Sequence, residues 1–165
     1  MKKIMAVLLI IAFSCTILTG CATSSNEEQG NILAVYSFSG ENEYFSISNG
    51  VIVLSSAEEI FYGGDLEANQ EKFDDITEYS MTFYVMSSNG KDILISNSVV
   101  DMTGGTIHIS GDIGKRSGDG TIIRELTDEL KSNLYFELET TNLDGETSNF
   151  QLQLSVVEII EKTDN

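Results

Sequence analysis

The sequence predicts an all-β fold, either an antiparallel β-sandwich or a partly open barrel, with one short helix near 121–131. Three observations carry this. From Ile32 onward the apolar runs are short and separated by Gly, Asn, Asp and Ser. Three turn dipeptides, Asn49-Gly50, Asn89-Gly90 and Asp144-Gly145, sit between such runs. Only one stretch, Ile122, Ile123, Leu126 and Leu130, repeats with the i, i+3/i+4 spacing of a helix face.

The elements follow in order. Ile32–Phe38 reads as a strand. Asn49-Gly50 predicts a two-residue hairpin that sets Ile47 opposite Ile52 and Phe45 opposite Leu54. Those four then share one face and Ser46 and Ser48 take the other, an agreement that a one-residue slip destroys. Asn89-Gly90 predicts a second hairpin with Met86 opposite Ile93 and Tyr84 opposite Ile95. Residues 81–86 are apolar on both alternating faces, which places that strand centrally in a covered sheet. A further strand is expected over Thr106–Ile113, and Gly111–Gly120 reads as a flexible connection to the helix.

The last turn discriminates between two registers. A two-residue turn at Asp144-Gly145 would set Leu138 opposite Gln151. A three-residue loop, 143–145, with Gly145 in the left-handed region sets Leu138 opposite Phe150, Phe136 opposite Leu152 and Leu134 opposite Leu154. The apolar pattern selects the second, a type I turn with a bulge. The expected strands are 133–141 and 147–159.

Composition narrows the function classes. The 165 residues carry 9 Lys+Arg against 26 Asp+Glu, a formal charge of −17. Nucleic acid is excluded as a partner, because phosphate neutralisation needs a basic footprint. Two Cys and one His support neither a disulfide scaffold nor a four-ligand zinc site. A hydrophobic fraction of 41% is too high for a disordered acidic tail.

The N-terminus reads as an address. Met1-Lys2-Lys3 precedes ten apolar residues, Ile4 to Phe13. This is the pattern of a secretory signal, and it falls short of the roughly 20 residues a bilayer span needs. The run ends in Leu18-Thr19-Gly20-Cys21. These four residues resemble the lipobox of bacterial lipoproteins, Leu-x-Gly-Cys. The resemblance implies diacylglyceryl transfer to the Cys21 sulfur and cleavage before it; the competing reading is an ordinary secretory signal cut near the same place. No other cofactor is expected. The mature domain otherwise resembles small surface lipoproteins only in general style.

On this reading residues 1–20 are the signal peptide, 21–31 a lipidated tether, 32–161 one β-rich domain and 162–165 a tail. The tether Ala22–Asn31 has no large apolar side chain, and ten such residues span about 17 Å. Loss of residues 1–20 removes Lys2 and Lys3 and leaves 7 basic against 26 acidic residues, a charge of −19. Two or more acyl chains hold a protein stably on a membrane. The expectation is therefore an extracytoplasmic, membrane-anchored, non-catalytic binding domain. Its partner would be an envelope protein, a polymer or a host ligand. An accessory subunit of an envelope complex and a carboxylate-based glycan hydrolase are the alternatives.

The candidate chemistry is thin. His108 is expected on the solvent side of its strand. Lys115 and Arg116 form an adjacent basic pair within Gly111–Gly120, but no phosphate-loop pattern surrounds them. Asn142 and Asp144 match half of a calcium loop, while Thr140 and Gln151 stand where that loop needs carboxylates. Asp112 and Asp119 flank the glycine loop. Eight acids lie between Glu58 and Glu78, and glycoside hydrolysis would need two of them across a cleft. Tyr36, Phe38, Tyr44, Phe45, Phe61 and Tyr62 are either core or a binding patch.

Overall fold

The computed structural model describes residues 32–118, Ile123 and 126–161. The expected signal peptide, lipobox, tether and tail lie outside the described residues. The elements run β1 (Ile32–Glu41), β2 (Phe45–Ser55), β3 (Glu59–Tyr62), β4 (Asp65–Ala68), β5 (Ile76–Ser87), β6 (Gly90–Val100), β7 (Ser110–Asp112), β8 (Lys115–Gly118), α1 (Thr127–Asn133), β9 (Leu134–Asn142), β10 (Thr147–Gln153) and β11 (Ser155–Glu161). They form two antiparallel sheets, as expected of a sandwich. A seven-stranded sheet follows the order β11-β1-β2-β3-β8, with β4 and β7 added beside β2. A four-stranded sheet follows β10-β9-β5-β6. No helix among the described residues is long and apolar enough to cross a membrane.

Asn49-Gly50 does not make a hairpin. β2 runs straight through it, and the pairing with β1 slips between Phe38↔Gly50 and Gly40↔Ile47. Asn49 holds φ +58° as the extra residue of a β-bulge. A bulge and a two-residue turn both reverse the alternation of faces, so Phe45, Ile47, Ile52 and Leu54 are all still buried. The hydrophobic pattern reports the change of parity but not which device makes it.

The bulge belongs to a line of kinks that crosses the sheet. β3 and β4 both pair with β2 and are collinear, interrupted at Gly63-Gly64. β8 and β7 pair with β3 and β4 in the same way, interrupted at Ile113-Gly114. Gly63 N donates to Gly114 O at 2.9 Å and Ile113 N to Gly64 O at 3.0 Å, bridging the interruption. Glycine at this line is dictated by close approach. A Cβ on Gly64 would stand 2.1 Å from Ser48 O, and one on Gly50 2.1 Å from the Phe38 ring. The segment expected as a flexible loop, Gly111–Gly120, therefore supplies sheet edge through its described residues. The strand expected over Thr106–Ile113 shrinks to β7, because residues 106–109 join no ladder and touch β5 through a single backbone bond, Ile107 N to Ile76 O at 2.7 Å.

The four-stranded sheet keeps most of the expected order. β5 is central, between β9 and β6, and Phe83, Tyr84 and Val85 are fully buried on both of its faces. The β5–β6 turn sits one residue earlier than expected. Ser87 pairs with Gly90, so Ser88-Asn89 form the turn and Gly90 takes φ +120°. Met86 then faces Lys91 and Tyr84 faces Ile93, and a bulge between Phe83 and Tyr84 sets Phe83, in place of the expected Tyr84, opposite Ile95. The β9–β10 hairpin is as expected: Leu138 faces Phe150, Phe136 faces Leu152, and Gly145 has φ +79°. The strand expected over 147–159 divides at Leu154. There the chain leaves β9 and crosses to the other sheet, where β11 pairs with β1.

Aromatic rings join the sheets. Phe38, Phe61 and Phe83 meet with centroids 5.1–5.7 Å apart, and Phe83 and Phe45 each reach Phe136, at 4.9 and 5.3 Å. Each such burial contributes about 1.5–3 kcal/mol. The helix expected near 121–131 is described over Thr127–Asn133. α1 packs against β5, β9 and β11, with Leu130 fully buried. Residues 121, 122, 124 and 125 lie outside the described residues.

Candidate interaction surfaces

The two outer faces of the sandwich differ in chemistry. On the four-stranded sheet the outer face mixes polar side chains with Met86 and Ile93, which are 36% and 54% exposed. Thr82 and Ser96 hydroxyls meet at 3.0 Å. Tyr84 points outward yet has no exposed surface. Tyr135 stacks beside it, with centroids 5.6 Å apart and planes 13° from parallel. Lys91 lies over its ring at 4.4 Å, and the Gln151 amide donates to its hydroxyl. Lys91 also pairs with Glu137. That hydrogen bond raises the lysine's pKa and lowers the carboxyl's, each favouring its charged form. The cluster is internally satisfied, so its groups hold one another and hold down the face.

The outer face of the seven-stranded sheet is free of charge in the rows across β11, β1, β2 and β3, where it is largely aliphatic and serine, and charged on β4, β7 and β8, and the register assembles it. One row runs Val157, Ser37, Val51, Tyr62, Lys115 across β11, β1, β2, β3 and β8. The next runs Val35, Val53, Ile60, Ser117. Val157 and Ile159 are 57% and 58% exposed. Between Val157 and Val51 the side chains shrink to Ser37, Ser39, Ser48 and Ser155, leaving a groove of ≈ 500 Å³ beside Gly50. At the margin, Asp65 stands opposite Asp112. Partial burial, helped by these two carboxylates, pushes the Tyr62 phenol above its ordinary range.

No protein-family model, curated protein or solved structure matches this chain. Any function must therefore be argued from the chain's own residues.

The expected site residues scatter. Leu18, Thr19, Gly20 and Cys21 lie outside the described residues, as does Asp119. Asn142 Oδ1 accepts the amides of Asp144 and Glu146 at 3.0 and 2.8 Å, so it is used in building the turn. Among the described residues no three His, Cys, Asp or Glu side chains gather as metal ligands. His108 is exposed, as expected. Arg116 donates to Leu94 O, and Asn97 Nδ2 to Ile113 O at 3.1 Å, which together fasten β6 to the β7–β8 edge. The acids of 58–78 do not converge. Glu59 is buried and accepts the Ile123 amide at 3.1 Å, Asp65 accepts from Asn49 at 2.8 Å, and Glu78 lies opposite Val100. Tyr36, Phe38, Phe45 and Phe61 are core, which leaves Tyr44 and Tyr62 partly exposed.

Sequence reasoning missed the apolar part of the outer face. Its signal was present in runs that are apolar at both parities, Val51–Leu54, Ile60–Tyr62 and Val156–Ile160, with only Glu158 intervening. Such runs need cover on both sides, and the structure supplies cover on one.

Proposed function

We propose that the chain is an extracytoplasmic lipoprotein, anchored to a membrane through Cys21, whose β-domain binds other molecules without transforming them. The observation that carries this reading is Leu18-Thr19-Gly20-Cys21 directly after a basic start and a ten-residue apolar run. β1 is described from Ile32, eleven residues beyond Cys21, which leaves length for a tether between the lipid and the sheet. The apolar part of the outer face supports binding, since a soluble domain rarely leaves such a surface without use. The partner is an envelope protein, a polymer or a host ligand.

The test is the intact mass of the chain extracted from the membranes of an expressing bacterium. A polypeptide starting at Cys21, heavier by two or more acyl chains, is expected, and Cys21→Ser should lose that added mass. A parent chain with an unmodified Cys21, or one starting elsewhere, would overturn the reading.

A further inference from the structure

We propose that the outer face of the seven-stranded sheet is a homodimer interface, where two copies of this chain pack face to face about a two-fold axis. The face carries a ridge and a trough side by side. Val157 and Ile159 stand out with more than half their surface exposed. Next to them lies the serine-lined groove around Ser37 and Gly50. Ser37 is the direct cross-strand neighbour of Val157. A two-fold axis through this region sets each copy's Val157 over the other's Ser37, so one surface supplies both knob and hole. That is the defining property of an isologous interface.

Charge selects the same occupant. The chain is strongly acidic, yet the rows across β11, β1, β2 and β3 hold no charged side chain among the described residues. Carboxylates lie at the margin, at Glu41, Asp65 and Glu67. Two acidic copies can meet at this centre without placing like charges in contact. A basic partner would meet carboxylates only at that margin. Lys115 ends one row at the β8 margin, and no Lys, Arg or Trp stands among the described outer-face residues of β11, β1, β2 and β3 to hold their centre at the headgroups. The ten residues Ala22–Asn31 have no large apolar side chain, so they cannot cover the face themselves. The interface does not depend on the anchored reading. The concentration at which it forms does, because tethering copies to one membrane raises their local concentration toward the millimolar range.

The experiment uses the full chain in the membranes of expressing cells. Differently tagged Ser37→Cys and Val157→Cys chains are co-expressed and mildly oxidised, with Thr82→Cys and Ser96→Cys on the opposite outer face as controls. A disulfide-linked pair from the first combination, at least tenfold above the controls and the unsubstituted parent, is expected. Detergent-solubilised parent should sediment at twice the chain mass, and the double variant Val157→Asp, Ile159→Asp at once that mass with its far-UV spectrum retained. No pair, equal yields from both faces, or Val157→Cys shielded from a soluble thiol reagent without a pair would overturn the proposal. The mass at Cys21 is measured on the same material. An acylated but unpaired chain defeats the interface alone, and a paired but unacylated chain defeats the anchor alone.

Discussion

Gly64 and Gly145 share one dihedral, φ +79°, in opposite surroundings. At Gly145 an added Cβ meets nothing within 4 Å. Gly145→Ala should therefore cost only the left-handed strain, about 1–2 kcal/mol. At Gly64 the same Cβ runs into Ser48 O and, at 2.7 Å, Gly50 N. These are backbone atoms that hold the kink and cannot step aside. Gly64→Ala should cost about 3 kcal/mol or more, strain and overpacking together. Urea denaturation of both variants checks this, and equal midpoints would show that the kink is soft. Gly145 was legible in the sequence because turn and apolar register agree only if it is left-handed. Gly64 was not, because its constraint comes from Ser48, a contact made across strands.

Asn49 shows what an element can and cannot disclose. The sequence demanded that residues 45 and 47 share a face with 52 and 54. A hairpin and a bulge satisfy that demand equally. The choice is made by β3 and β4, which pair with β2 on either side of Asn49-Gly50 and need it to continue. Deleting Asn49 should undo the parity change, turning Phe45 and Ile47 outward and Ser46 and Ser48 inward. Losing two such burials costs about 3–6 kcal/mol, a large part of a typical domain's stability. Asn49→Gly, which keeps the positive φ and gives up only the bond to Asp65, should stay within about 1 kcal/mol of the parent. Thermal unfolding compares the two. A deletion variant that melts like Asn49→Gly would mean the register can slide. The division of 147–159 at Leu154 was hidden for the same reason: its partner strand lies more than a hundred residues away, in β1.

At the scale of the molecule, acidity dominates. The described residues contain three ion pairs, Lys72–Glu43, Lys91–Glu137 and Lys131–Glu158, set against a formal charge of −17. Most carboxylates face solvent and one another. Raising salt from about 0.01 to 0.15 M shortens the screening length from about 30 to 8 Å. The melting temperature should rise with it, by roughly 2–4 °C for each kcal/mol of repulsion removed. A fall would mean that the few pairs outweigh the excess. Composition made this charge legible from the start. Its distribution, with the outer rows of β11, β1, β2 and β3 left uncharged, required the pairing register of those strands.

β1 lies inside its sheet, with β2 on one side and β11 on the other. The chain that precedes Ile32 therefore enters the fold through an interior strand rather than an edge. A mechanical pull on that chain along the strand axis is resisted by rungs on both sides, which must shear together instead of opening one at a time. β11 ends beside the start of β1, with Glu161 opposite Ala34. The strand that takes the load is thus clamped by the last strand of the domain, and a chain truncated before β11 would lose half of its grip.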